Sequence, residues 1–133
     1  MDDLTVDRLA DAMSRDQYID ITTIGRRSGR PRRIELSLLH VDGRLVISGL
    51  PDPRRRRAWV LNLEAEPRFT LHLKGIGRMD VAATARQVTV EKERRAILAE
   101  VAERWGRADL EVMVRHSPLI EVLVEAPTRE GAA

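Results

Sequence analysis

Hydrophobic and polar positions alternate along much of this chain, and the period changes only a few times. Tyr18 to Ile24 is rich in β-branched residues and alternates in part, which predicts a strand. Arg32 to Val41 predicts a second, with Ile34, Leu36 and Leu38 on one side and Glu35, Ser37 and Leu39 on the other. Asp42-Gly43 predicts a type I′ hairpin, whose two central residues need positive φ, and Leu45 to Leu50 then returns antiparallel. Arg68 to Lys74 sets Phe69, Leu71 and Leu73 against Thr70, His72 and Lys74. After a tight turn at Gly75 and Gly77, Met79 to Val88 collects Val81, Ala83 and Ala85 on one face, and Pro118 to Glu125 reads as a last strand.

Three segments carry the helical period instead. Residues 5–14 place Leu9, Ala12 and Met13 together behind a Thr5 cap. Pro51-Asp52-Pro53 stops the sheet, Arg54 to Ala65 predicts a helix carrying Trp59, Leu61 and Leu63, and Glu66-Pro67 ends it. Thr89 is placed to cap a long helix reaching about Trp105, with Ile97, Leu98, Val101 and Ala102 as its stripe and Gly106 at its end. Residues 108–115 fit neither period, and the tail from about 127 to 133 is expected to fray. There is no repeat or linker, so residues 1–133 read as one domain. The order is helix, three strands, helix, two strands, helix, strand. It predicts an α+β, mainly β, chain: a closed or split antiparallel barrel of about six strands with helices packed outside.

Composition sharpens this reading at few points. Cysteine is absent, which excludes disulfides and thiolate metal sites and is compatible with a cytoplasmic protein. No apolar run is long enough for a membrane span, and the N-terminus lacks the basic-then-apolar order of a signal peptide. The net charge of +2 conceals an uneven distribution: from Gly25 to Arg57 ten arginines face only Glu35, Asp42 and Asp52, giving +7 there and −5 elsewhere. A field concentrated in this way points to an anionic partner. Tyr18 and Phe69 are the only phenyl-type rings, too few for the stacking platforms of single-strand nucleic-acid binders, so a small anionic ligand fits better.

The stretch Ile21 to Leu36, ITTIGRRSGRPRRIEL, holds the densest candidate chemistry. Gly25 and Gly29 allow a sharp turn with N–H groups presented together, and the guanidinium forks beside them suit phosphate or carboxylate. A solvated β-turn accounts for the spacing about as well. Histidines 40, 72 and 116 have no metal-type spacing, and the serines have no nucleophile context. Arg54 to Arg57 would set four positive charges at the positive end of a helix, which is costly unless an anion bridges them. Asn62, within an apolar helical run, invites either a structural hydrogen bond or a role in a site.

That arginine-rich stretch resembles the Gly-Arg-Lys-Ser-Gly-x-Pro-Arg signature of the deazaflavin-dependent nitroreductase and quinone reductase family, which uses coenzyme F420. The stretch AWVLNLEAEPRFTLHLK resembles the same family's Trp-x-x-Asn-Leu-x-x-Asn-Pro segment. The similarity spans roughly residues 18–125. It implies a split barrel related to FMN-binding folds and a hydride transfer from reduced F420, with FMN as the alternative cofactor, to a quinone, nitroaromatic or enone. It implies further that Arg26, Arg27, Ser28, Gly29 and Arg32 hold the anionic end of the cofactor, and that Trp59 and Asn62 flank its ring. Relatives often carry lysine where this chain has Ser48-Gly49-Leu50, a gap that Arg56 and Arg57 are placed to fill; they often carry proline where it has Glu35. A homodimer is compatible with all of this. The other reading is a non-catalytic F420 or flavin carrier, and a small nucleic-acid-binding barrel stands behind both.

Overall fold

The alternating segments become six strands in the computed structural model, which describes residues 9–75 and 78–125. The strands are β1 (Gln17–Ile24), β2 (Pro31–Val41), β3 (Arg44–Ser48), β4 (Arg68–Leu73), β5 (Met79–Gln87) and β6 (Leu119–Val124). Every pairing is antiparallel, and the sheet closes into a barrel in the order β1-β2-β3-β6-β5-β4. Helices α1 (Ala58–Ala65), α2 (Glu91–Trp105) and α3 (Leu110–His116) lie outside it. No helix of the described residues is long and apolar enough to cross a membrane. The β2–β3 hairpin turns at Asp42 (φ 50°) and Gly43 (φ 76°), as a type I′ turn demands, with Val41 facing Arg44.

Alternation decides which side chains enter the barrel. Ile19, Ile21 and Thr23 of β1 point inward and are buried, whereas Tyr18 and Ile24 face out. The second half of β2 is buried on both faces. Leu38 joins the barrel interior with Ile47, Leu71, Ile120 and the α1 residues Trp59, Val60 and Leu63. Leu39 and Val41 point the other way, into a second core with Val46, Ile97, Leu98, Val101, Met113 and Leu119 beneath α2 and α3. Burying each such side chain stabilises the fold by about 1.5–3 kcal/mol. Of Ile34, Leu36 and Leu38, expected on one side of the strand, only Leu38 is fully buried. Ile34 is 39% exposed because the barrel mouth opens at that level.

Several boundaries differ from the sequence reading, each for a physical reason. The helix expected from Arg54 starts at Ala58, with Arg57 extended (φ −70°, ψ 145°) as its N-cap. Four like charges therefore stay out of the helix body, although Arg57 still stands at the positive end of its dipole. Val90, not Thr89, caps α2, whose first turn instead gains Glu91 and Glu93, the favourable sign there. Gly106 ends α2 in the left-handed region at φ 65°. The ambiguous residues 108–115 largely become α3, which packs Met113 and Val114 under α2. β3 ends at Ser48 rather than Leu50. Residues 9–12 are helical and bring Leu9 onto the barrel core. The earlier part of that helix, Gly77 and the tail from 126 lie outside the described residues.

Candidate functional site

The loop between β1 and β2 closes on itself through its backbone. Gly25 N–H donates to the Arg30 carbonyl and Gly29 N–H to the Gly25 carbonyl, each at 2.8 Å. Ser28 Oγ accepts from Arg30 N–H at 3.1 Å. Gly29 sits at φ 69°, where a side chain is strained. Gly25 is required for a different reason: a Cβ there would lie 2.6 Å from Ser28 Oγ and 3.3 Å from the Arg30 carbonyl. Three of the six N–H groups of residues 25–30 are thus consumed within the loop and that of Arg26 goes to Asn62, which corrects the expectation of a run of presented N–H donors. Arg27 and Ser28 keep theirs unpaired among the described residues. What the loop chiefly offers an anion is its guanidinium groups.

Helix α1 holds this loop from below. Asn62, 5% exposed, accepts from Arg26 N–H through Oδ1 at 3.1 Å and donates through Nδ2 to Thr23 Oγ1 at 3.2 Å. One amide therefore joins the helix, the inward face of β1 and the start of the loop. Trp59 is also only 5% exposed and packs among the barrel core, presenting little more than an edge. Between loop and helix lies a concavity of about 390 Å³ lined by Arg26, Arg27, Ser28, Arg32, Trp59 and Asn62, together with Thr23, Arg33, Ile34 and Ala58. No side chain caps α1, so the positive end of the helix opens beside it.

Ion pairing sets these arginines apart. Most arginines elsewhere among the described residues are matched, as Arg86 is with Glu93 and Glu121, and Arg95 with Glu91 and Glu111. Even Arg33, next to the loop, is taken by Asp20 at 2.8 Å. Arg26, Arg27, Arg30 and Arg32 make no ion pair among the described residues. Glu35 does not intrude on them: Lys74 binds it together with Asp20, whose carboxyl is held low by Lys74 and then Arg33. Unmatched guanidiniums beside an open helix terminus form a donor set for a polyanionic group.

The other predicted residues lie elsewhere. Ser48 is buried, and its hydroxyl donates to the Pro118 carbonyl at 2.7 Å, joining β3 to β6. Arg56 pairs with Glu64, and Arg57 donates to the Leu50 carbonyl at 2.6 Å. Both line a different cavity beyond the first turn of α1, so the structure does not gather them with the 25–33 loop. Thr23 and Ile34 line the loop concavity without having been singled out. Alternation from Ile19 and Ile21 would have placed Thr23 inward, and a polar residue facing a core is the signal for a buried partner. His72 is hydrogen-bonded at both ring nitrogens, to Thr22 Oγ1 at 2.6 Å and Asp80 at 2.7 Å, in the manner of a structural histidine.

Known proteins share this architecture. HutZ, the heme storage protein of Vibrio cholerae, matches at 15% identity over 91% of this chain and 90% of its own, with a TM-score of 0.65. The F420-H2 dependent reductase FDR-A matches at 20% identity, covering 79% and 92%, with a TM-score of 0.59. A structure described as a domain-swapped dimer matches at 18% identity, covering 90% and 97%, with a TM-score of 0.60. No curated protein sequence matches the chain. At these identities the neighbours establish the barrel. The sequence profile of the F420H2-dependent quinone reductases, however, runs through residues 5–127, across the arginine loop, α1 and all six strands. The chain belongs to the F420H2-dependent quinone reductase family: it is an F420-dependent reductase built on this barrel.

Proposed function

We propose that the protein reduces a small oxidised acceptor, a quinone, nitroaromatic or enone, with reduced F420 held by its phosphate-bearing tail in the concavity between the 25–33 loop and α1. The observation that carries this reading is that three of the guanidiniums lining the concavity, those of Arg26, Arg27 and Arg32, have no carboxylate partner among the described residues, on a chain whose arginines are otherwise mostly paired. The donor set suits the cofactor, whose tail presents phosphate and carboxylate oxygens to planar forks. When bound, F420 supplies a two-electron hydride, so no protein nucleophile is needed. Arg26, Arg27 and Arg32, with Ser28 and the turn at Gly29, bind the tail. Asn62 orders the loop that carries them, and the edge of Trp59 and the exposed Ile34 give the site an apolar wall. Positioning of this kind is worth orders of magnitude in rate without any acid or base.

The test is Arg27→Gln. It removes binding made equally in ground and transition states, so the Michaelis constant for F420H2 rises about tenfold, or 1.4 kcal/mol, while kcat stays within about twofold. A fall in kcat at unchanged cofactor affinity would move the tail away from the loop. A second reading, a non-catalytic carrier, draws support from the same barrel serving HutZ as a heme storage protein. Stoichiometric F420 binding without turnover across quinones, nitroaromatics and enones would favour it. A homodimer is also proposed, since a neighbour with this fold is described as a domain-swapped dimer. Light scattering at several concentrations tests it, and a constant monomer mass would remove it.

A further inference from the structure

On the far side of the first turn of α1 lies the larger cavity, of about 530 Å³. That volume is typical of sites for small organic ligands. Its apolar side is formed by Val60, Val88 and Leu119, all buried. Its remaining lining is strongly cationic, with six arginines (54, 55, 56, 57, 94 and 115) against two carboxylates, Asp52 and Glu64. Both carboxylates are already engaged, Glu64 by Arg56 and Asp52 by Arg55 at 3.8 Å and by the N–H of Arg54 at 3.0 Å. Arg54 and Arg115 have no ion pair among the described residues. Arg94 is half-buried and bonds only carbonyl oxygens, so its charge has no counter-ion among the described residues, and burial pushes its pKa down.

Two further groups at this cavity lack partners. Ser117 is 4% exposed, and its hydroxyl makes no hydrogen bond among the described residues; the Nε2 of Gln87 is likewise buried and unpaired among them. Both residues line the cavity. A polar atom left buried and unsatisfied destabilises the free protein, a cost that a ligand accepting from it would offset. Two donors without acceptors, beside guanidiniums without carboxylates and against an apolar wall, describe one kind of guest: a flat apolar body bearing an oxyanion.

We propose that this cavity binds the oxidised acceptor through an anionic substituent, a carboxylate or comparable oxyanion, held by Arg115, Arg54 and, on side-chain rotation, Ser117 and Gln87, an arrangement that requires the reacting end of the cofactor to extend past the first turn of α1 from the loop concavity. The assignment rests on the reductase reading above and narrows its substrate class from small oxidised compounds to acidic ones. Arg54 and Arg115 then serve the acceptor, while the arginines of the 25–33 loop serve the cofactor.

The experiment compares a naphthoquinone propionate with its neutral propionamide. Each is titrated calorimetrically into the protein, with and without oxidised F420, at fixed ionic strength. The acid is expected to bind at least tenfold more tightly than the amide, and Arg115→Gln to shrink that ratio to about twofold or less. Ser117→Ala, which deletes an unpaired buried hydroxyl, should raise Tm while weakening binding of the acid. That opposition is one a purely structural serine would not show. Equal affinity for acid and amide in the natural protein overturns the proposal. So does an Arg115→Gln variant that loses F420 affinity but keeps the acid preference, because the cavity would then hold the cofactor. If the acid binds in an Arg115-dependent way yet no acceptor oxidises F420H2, the reductase reading falls and the acceptor role with it, while the oxyanion site itself stands.

Discussion

Asn62 shows how much a single amide settles in this site. Its two hydrogen bonds, to Arg26 N–H and Thr23 Oγ1, link α1 to the start of the arginine loop and to β1; the second is buried and the first partly so. Asn62→Ala leaves one donor and one hydroxyl without partners, at a cost of about 1–3 kcal/mol of stability. The same change frees the first residue of the arginine run, so F420 should bind several-fold more weakly. Thermal melting and cofactor titration on the same preparation test this. Lost turnover at unchanged Tm and affinity would instead put the amide against the cofactor ring. The sequence showed that a polar residue interrupted an apolar helical run, and a structural hydrogen bond was one of the two readings it offered. It could not show the partner, because Arg26 lies 36 residues away and offers a backbone N–H, a group every residue but proline carries. Gly25 was legible as a turn residue for the wrong reason. Its constraint is the approach of Ser28 Oγ and not a positive φ, and such a clash exists only once the loop has folded.

At the scale of elements, strands were more legible than helix ends. Period-two alternation with a two-residue hairpin determines strand and register together, so β1, β2 and the Asp42-Gly43 turn follow directly from side-chain order. Helix starts depend on where charge and cap can be satisfied, and α1 and α2 both begin later than their apolar periodicity suggests. The short α3 was illegible because its helix is held from outside. Arg94 of α2 donates from Nε to the Val114 carbonyl at 2.8 Å, and from Nη2 to the Ser117 carbonyl at 2.7 Å and the Met113 carbonyl at 3.3 Å. Its Nη1 reaches the Val88 carbonyl at 2.9 Å. A cation thus satisfies the carbonyls that end α3, with the favourable sign for a helix C-terminus. Arg94→Met strips the whole set, and hydrogen bonds to a charged group are individually worth about 1.5–3 kcal/mol, so a loss of about 3 kcal/mol is expected. Arg94→Lys should recover little of it, since one ammonium cannot span the fork. Denaturant midpoints for both variants check this. A change below about 1 kcal/mol in Arg94→Met would mean that water replaces the guanidinium.

For the whole molecule, the fold class was readable and the placing of charge was not. A chain rich in arginine reads as uniformly basic, but the fold sorts its arginines into those that bind the barrel to its helices and those left open at two cavities. The binding set centres on Glu93, in the first turn of α2. Arg86 of β5 reaches it at 2.6 Å, Arg44 of β3 also at 2.6 Å, and Arg86 continues to Glu121 of β6 at 2.7 Å. The long helix is thereby tied to two strands of the barrel by charge, and through Arg86 to a third, as well as by its apolar stripe. Arg86 first, then Arg44, holds the Glu93 carboxyl at about 2, against an ordinary value of 4.5. A carboxylate depressed in the folded state binds fewer protons there than in the unfolded chain. Its contribution is therefore complete above pH 4.5 and is lost as pH falls through about 2. Glu93→Gln removes that titration. At neutral pH the variant should melt at a lower temperature than the natural protein, because Arg86 and Arg44 lose their shared partner. As pH falls from 4.5 towards 2 the natural protein loses its advantage, and the two melting temperatures should converge. Raising the salt at neutral pH should narrow the gap only in part, since the carboxylate is 24% exposed and screened less than a free surface pair. Melting curves across that acid range test the linkage. A constant gap between the two proteins down to pH 2 would show that Glu93 docks α2 by packing and neutral hydrogen bonds, and that its charge contributes nothing to holding the helix on the barrel.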